Sequence, residues 1–196
     1  MNYNDYTKMN KERTDGYLEL IIGPMFSGKT SKILDLHRQY SFCNMNVMVV
    51  NYDEDTRYHE TMLSTHDQKM ISCHNMHTLK ELLSEENIKN TDAFLINEGQ
   101  FFSDVFEVIV ELVDQHKKIV HVCGLDGDFQ RKRFGNLLDL IPYSNDITKL
   151  SSFCTICKNG ERGIFTHRLS KEKEQKLIGF DNYVPLCRKC YLNENE

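Results

Sequence analysis

Gly23, Gly28, Lys29 and Thr30 stand at the spacing G-x-x-x-x-G-K-[ST] within GPMFSGKT. Glycines at those points let successive backbone N–H groups converge on a β-phosphate. The lysine reaches the β- and γ-phosphates, and the threonine hydroxyl ligates magnesium. Gly23, Pro24, Met25, Phe26, Ser27, Gly28, Lys29 and Thr30 are therefore candidates for binding ATP, with Thr30 also a ligand of Mg2+. A plain glycine turn is the competing reading. The flanks disfavour it, because YLELIIG reads as a buried strand entering the loop, and Ile33, Leu34, Leu36, His37 and Tyr40 leave it at near-helical spacing.

A second strand candidate, AFLI, runs into Asn97 and Glu98. Phosphate-transferring folds of this order bring an aspartate to that strand end to hold a metal-bound water. An asparagine can still accept a hydrogen bond from such a water, but without the anionic attraction, so weaker magnesium organisation is expected. Glu98, one step further, could take a proton from an attacking oxygen. Alternatively it caps the following helix, whose N-terminus favours acidic side chains. With a phosphate loop in the same chain, the base is the favoured reading.

Cys154-x-x-Cys157 and Cys187-x-x-Cys190 are separated by 29 residues. Thiolates so paired suit a tetrahedral zinc site, closed and structural because all four positions are protein ligands. Redox dithiols and accidental pairs are the alternatives. His167, inside the bracketed loop, could replace a cysteine, although a solvated side chain is the favoured reading.

These residues need elements to position them. A chain of 196 residues can bury a core without disulfides. No run approaches the roughly 20 apolar residues of a membrane span, and a reducing, cytoplasmic setting is expected for its cysteines. The formal net charge of −5 argues against broad nucleic-acid binding. QRKRFG, residues 130–135, is a local basic cluster that composition alone reads as a solvated face. NVMVVNY and KIVHVCGLD are further strands, and Thr78 and Glu81 match a capping box before a short helix. A longer helix is predicted over about 103–117. Strands alternating with helices imply a parallel sheet covered on both faces. The expected organisation is a mobile leader over 1–16, a nucleotide-binding α/β domain over 17–150, and a small cysteine-bracketed domain over 151–196.

GPMFSGKT, DTRY at 55–58, THD at 65–67, EGQFF at 98–102, LDGDFQRKRFG at 125–135 and the two cysteine pairs occur in the order of the type II thymidine kinases, and the chain resembles that family over about 17–191. The resemblance implies a RecA-like P-loop fold with helices on both faces of a parallel sheet, and a C-terminal zinc-binding lasso domain. It implies transfer of the γ-phosphoryl of ATP to the 5′-hydroxyl of thymidine, and of deoxyuridine as well, with catalytic Mg2+ and structural Zn2+. Glu98 matches the general base. Asp55, Thr56 and Arg57 match the ATP and phosphate side together with Asn97 and Gln100, and Arg57 would steady the transferring charge. Phe101, Phe129 and Phe134 match aromatic positions around the nucleoside. Leu177, Ile178, Gly179 and Tyr183 match the part of the lasso that folds over the base. A homotetramer, feedback binding of dTTP and a cytoplasmic location, in the host if the source is viral, are further implications, with no nucleic acid or membrane as partner. The family's aspartate before the glutamate is Asn97 here, Arg133 replaces a common proline, and the lasso is about one residue shorter before Tyr183. The alternative is a nucleotide-binding protein with weak or no turnover because of Asn97.

Overall fold

The computed structural model describes residues 14–54, 62–64, 70–177 and 181–195. Its frame is a six-stranded sheet in the order β5-β2-β6-β7-β1-β8, made of β1 (Tyr17–Ile22), β2 (Val47–Tyr52), β5 (His74–Met76), β6 (Ala93–Ile96), β7 (Ile119–Gly124) and β8 (Asp146–Lys149). Every pairing in it is parallel. β3 (Met62–Ser64) and β4 (Met70–Ser72) form a separate antiparallel pair.

Side chains alternate across a strand, so each strand supplies both faces. Leu18, Leu20 and Ile22 of β1, Phe94 and Ile96 of β6, and Val120 and Val122 of β7 pack on one face against α3 (Val105–Asp114) and a 3-10 segment over Leu137–Tyr143. Ile21, Leu95 and Cys123 point to the other face and meet Ile33 and Leu36 of α1 (Lys29–Phe42). That two-sided burial is why these strands read as nearly continuous apolar runs. Glu19 and His121 also belong to the α1 side, where a polar chain replaces apolar packing. His121 Nδ1 lies 2.8 Å from Glu19 Oε2, its Nε2 lies 2.7 Å from Tyr40 OH, and Thr148 donates to Glu19 Oε1 at 2.6 Å.

Several local expectations are corrected. The capping box at Thr78 and Glu81 does not form; a 3-10 turn spans Lys80–Leu83, and Asp104 Oδ2 accepts from the N–H groups of Leu79 and Lys80 at 2.9 and 3.1 Å. A carboxylate at the N-cap of α3 outcompetes the local threonine. The α-helix of that region, α2 (Glu85–Asn90), is instead capped by Ser84, whose hydroxyl accepts from Asn87 N at 3.3 Å. The helix expected over 103–117 is shorter, at Val105–Asp114.

The last parallel strand ends at Lys149, and later strands pair only among themselves, β9 (Ser152–Phe153) with β10 (Arg162–Gly163) and β11 (Phe165–Arg168) with β12 (Tyr183–Leu186). A short helix, α4 (Arg188–Glu194), closes the chain. Among the described residues no helix is long and apolar enough to cross a membrane.

Candidate active site

β1 delivers the chain into the phosphate loop at Gly23. A Cβ there would stand 2.5 Å from the Leu150 carbonyl oxygen, so the loop closes on the residue after β8 only with glycine at this point. Gly28 adopts φ 88°, in the left-handed region, and turns the loop into α1 at Lys29. No acidic side chain occupies the first turn of α1, so its positive end has no local competitor for an anion. Lys29 is buried, and its ammonium reaches back across the loop to the carbonyls of Gly23 at 3.0 Å and Pro24 at 2.7 Å. Met25 N donates to Thr166 Oγ1 at 3.0 Å, which ties the loop to β11. Thr30, half-buried in the first turn, offers a hydroxyl oxygen, the ligand type that magnesium takes.

Asn97 and Glu98 follow β6. Asn97 is buried, and its Nδ2 donates to Asn51 Oδ1 at 2.9 Å, so the amide is fixed between the ends of β2 and β6 with its own carbonyl oxygen as the remaining acceptor. That donor set suits a metal-bound water and adds no charge to it. Glu98 takes φ 54° and ψ 41°, a left-handed conformation that costs a non-glycine residue about 1 kcal/mol or more. It stands at the N-cap of a 3-10 turn, Gly99–Phe101, where its side chain makes no capping hydrogen bond. Its carboxylate instead accepts from Gln100 Nε2 at 2.7 Å, while Gln100 Oε1 accepts from Leu125 N at 3.0 Å. Gln100 is buried in a slot cleared by glycines: a Cβ on Gly124 would stand 2.5 Å from its Oε1, and one on Gly135, at φ +60°, would stand 2.2 Å from its carbonyl oxygen. The glutamine cannot turn over, so it holds Glu98 in one orientation.

Aromatic rings line the next part of the edge. Phe101 lies 5.2 Å from Tyr52 and 5.3 Å edge-on from Phe134 between ring centroids. At Phe129 the Arg168 guanidinium stands 3.8 Å from the ring centroid. Arg168 is buried and all five of its N–H donors are engaged. Its Nη1 donates to the carbonyls of Glu172 and Glu174, its Nη2 to that of Gln175 and to Tyr183 OH, and its Nε to Tyr183 OH. Tyr183 OH donates onward to the Leu177 carbonyl at 3.0 Å. Residues 172–177 therefore form a strap drawn in around one cation.

The basic cluster of 130–135 is a clasp. Asp128 is buried; its Oδ1 accepts from the N–H groups of Gln130 and Lys132, both at 2.8 Å, and its Oδ2 accepts from Gln175 of the strap at 2.7 Å. Arg131 stacks over Tyr191, and Arg133 pairs with Asp139. Arg168, Gln175 and Tyr52 were not singled out by sequence, since isolated residues of these types carry no spacing signal, and Asp128 was read only within LDGDFQRKRFG with no role of its own. Of the expected site residues, Asp55, Thr56, Arg57, Ile178 and Gly179 lie outside the described residues.

The four cysteines converge, their sulfurs all lying within 4.8 Å of one another. Cys157 Sγ stands 3.3 Å from Cys190 Sγ and 3.7 Å from Cys187 Sγ. Burial acts to raise the Cys154 thiol, but the N–H groups of Cys157, Cys187 and Ile156 outweigh it and bring the thiol down to about 6. Four sulfurs in one cluster, with backbone donors turned toward a thiolate, fit a zinc ion. His167 is no ligand and is not solvated either: it is buried, with Nδ1 3.1 Å from Asn195 Nδ2.

Residues 16–191 match the protein family described as thymidine kinase. Thymidine kinase 1 of Dictyostelium discoideum is 35% identical over 181 residues, covering 90% of this chain and 78% of that protein. The thymidine kinase of raccoon poxvirus is 41% identical over 180 residues, covering 91% of this chain and 98% of its own length. The rice enzyme of the same name is 37% identical over 183 residues, covering 91% of this chain and 67% of its own length.

Proposed function

This chain belongs to the thymidine kinase family, and from that premise we propose that it transfers the γ-phosphoryl group of ATP to the 5′-hydroxyl of thymidine, and of deoxyuridine, in nucleotide salvage. Glu98 accepts the hydroxyl proton as the 5′-oxygen bonds to the γ-phosphorus. The bond from that phosphorus to the bridging oxygen breaks, and ADP leaves with the electron pair. Lys29 and the amino end of α1 bind and orient the phosphates. Arg57 supplies further positive charge, and Thr30 and Asn97 are the residues that would hold Mg2+ and its water. When bound, magnesium neutralises charge on the phosphates. Phe101, Phe129, Phe134, Leu177, Ile178, Gly179 and Tyr183 form the nucleoside side.

The observation that supports this reading most is topological. The phosphate loop follows β1 and Glu98 follows β6, with only β7 between them in an all-parallel sheet. Both groups thus emerge at the carboxyl edge, where open α/β sheets bind ligands. Zinc at the four cysteines is structural in this reading, and free thiols suit a cytoplasmic setting. A homotetramer and feedback by dTTP follow from the family resemblance alone.

The test is ATP-dependent phosphorylation of thymidine by the purified chain across a magnesium titration, with the other deoxynucleosides as controls. Thymidine-selective formation of dTMP is expected. ATP binding with no phosphorylation at any magnesium concentration would refute the reading.

A further inference from the structure

Residues 172–177 have no helix or strand of their own, so side-chain contacts must hold them. Arg168 fixes their inner side through three carbonyls. At the outer end Lys176 reaches away from that cluster. Its Nζ lies 2.7 Å from Glu54 Oε2 and donates to Tyr52 OH at 3.0 Å, and Tyr52 OH donates in turn to Glu54 Oε1 at 3.1 Å. The same ammonium stands 4.5 Å from the Tyr52 ring centroid and 5.5 Å from that of Phe101, both within cation–π range. Tyr52 ends β2 and Phe101 ends the turn after β6, so one cation joins the strap to two separate walls of the sheet edge. The Lys176 hydrogen bond holds the Glu54 carboxyl below its usual range.

We propose that Lys176 is a positioning residue for the nucleoside, latching the strap to Glu54 and Tyr52 and so fixing it beside the Tyr52, Phe101 and Phe134 rings. The proposal rests on the kinase reading above for its substrate, and on the contacts alone for the latch. Glu54 and Lys176 are both partly exposed, so their ion pair is a weak contact by itself. Combined with the hydroxyl and two ring faces, the latch is worth roughly 3- to 10-fold in substrate affinity. A contact far from the transferring phosphoryl group acts on binding and leaves the chemical step little changed.

Steady-state kinetics of Lys176→Met, Lys176→Arg, Glu54→Gln and the double variant Lys176→Met with Glu54→Gln test it. Cleavage after Glu174 by a glutamate-specific protease is followed in parallel. Lys176→Met should raise the KM for thymidine roughly 3- to 10-fold with kcat within about 2-fold, and Lys176→Arg should stay near the wild-type value. Glu54→Gln should have its own smaller effect on KM, and none once Lys176 is methionine, because the two changes break one contact. Cleavage after Glu174 should quicken in the variants that raise KM. An unchanged KM and cleavage rate in Lys176→Met, or a Glu54→Gln effect that persists in full on the methionine background, would overturn the latch. Should the wild-type chain phosphorylate no thymidine while cleavage follows the expected pattern, the kinase reading fails and the latch between strap and sheet stands.

Discussion

Glu98→Gln isolates proton transfer from architecture. Gln100 cannot exchange its amide ends, because Leu125 N donates to its Oε1, so its Nε2 continues to point at position 98. A glutamine there can accept that hydrogen bond through its own carbonyl oxygen, as Glu98 does now at 2.7 Å. The left-handed backbone at φ 54° costs glutamine what it costs glutamate. Folding stability should therefore move by less than about 1 kcal/mol, as expected where no buried group is left unpaired. What is lost is the acceptor for the 5′-hydroxyl proton, worth about 10²- to 10⁴-fold in rate, or roughly 2.7 to 5.4 kcal/mol of barrier. The assay is kcat at saturating thymidine and ATP, beside a thermal melt and an ATP-binding titration on the same preparation. The reasoning predicts kcat down by about 10²-fold or more, with an unchanged melt and unchanged ATP affinity. Turnover within a few-fold of wild type would refute the base assignment. A matching loss of thermal stability would show that Glu98 serves the fold.

Asn97→Asp should lower the magnesium concentration for half-maximal rate, because it adds an anion where Asn97 now offers a neutral amide; an unchanged magnesium curve would show that this side chain does not address the metal. Gly135→Ala forces a Cβ to within 2.2 Å of the Gln100 carbonyl oxygen at φ +60°, and should cost about 1–3 kcal/mol in denaturant unfolding while lowering kcat through Glu98. Metal analysis should return about one zinc per chain, and Cys157→Ser should lose it along with thermal stability. Glu19→Ala leaves buried His121 without its hydrogen-bond partner and should cost about 1–3 kcal/mol. The His121 hydrogen bond holds the Glu19 carboxyl below its ordinary 4.5. Its stabilisation is thus complete above that value and lost as pH falls through the lower folded value, so acid unfolding curves of wild type and Glu19→Ala should converge.

The central strands were legible because burial on both faces makes them nearly continuous apolar runs, as with Phe94 to Ile96, and with Ile119 to Val122 apart from His121. The phosphate loop was legible because its chemistry imposes a fixed spacing. β5 and β8 were not, since edge strands of only three or four residues, those of β8 largely exposed, carry neither an apolar run nor an alternation. The capping box at Thr78 failed because Asp104, 26 residues away in sequence, took the N–H groups it would have served. Arg168 was invisible for a related reason. A lone arginine before a charged loop reads as solvated, and only the fold reveals four acceptors gathered around it. Glu98 was singled out by its position after a strand, but the contacts that hold it come from Gln100, Gly124 and Gly135, which converge only in space.

The two sides of the site are held by different physics. The phosphate side hangs from the sheet, whose core runs continuously beneath β1 and β6. The side that the proposed function assigns to the nucleoside hangs from a small C-terminal unit whose buried cluster is Cys154, Leu186, Cys187, Cys190 and Tyr191. Three of those five are cysteines of the metal cluster, so apolar burial alone gives that unit little stability of its own. Removing the metal should therefore loosen the β11–β12 hairpin that carries Arg168 and Tyr183, and with them the strap, before it disturbs α1 or Lys29. The hydrogen bond that Met25 N donates to Thr166 Oγ1 ties that unit to the phosphate loop and is worth about 1 kcal/mol. It is too weak to pass the damage on to the phosphate loop. Zinc loss should thus raise the KM for thymidine while ATP still binds, an asymmetry that follows from where the core ends.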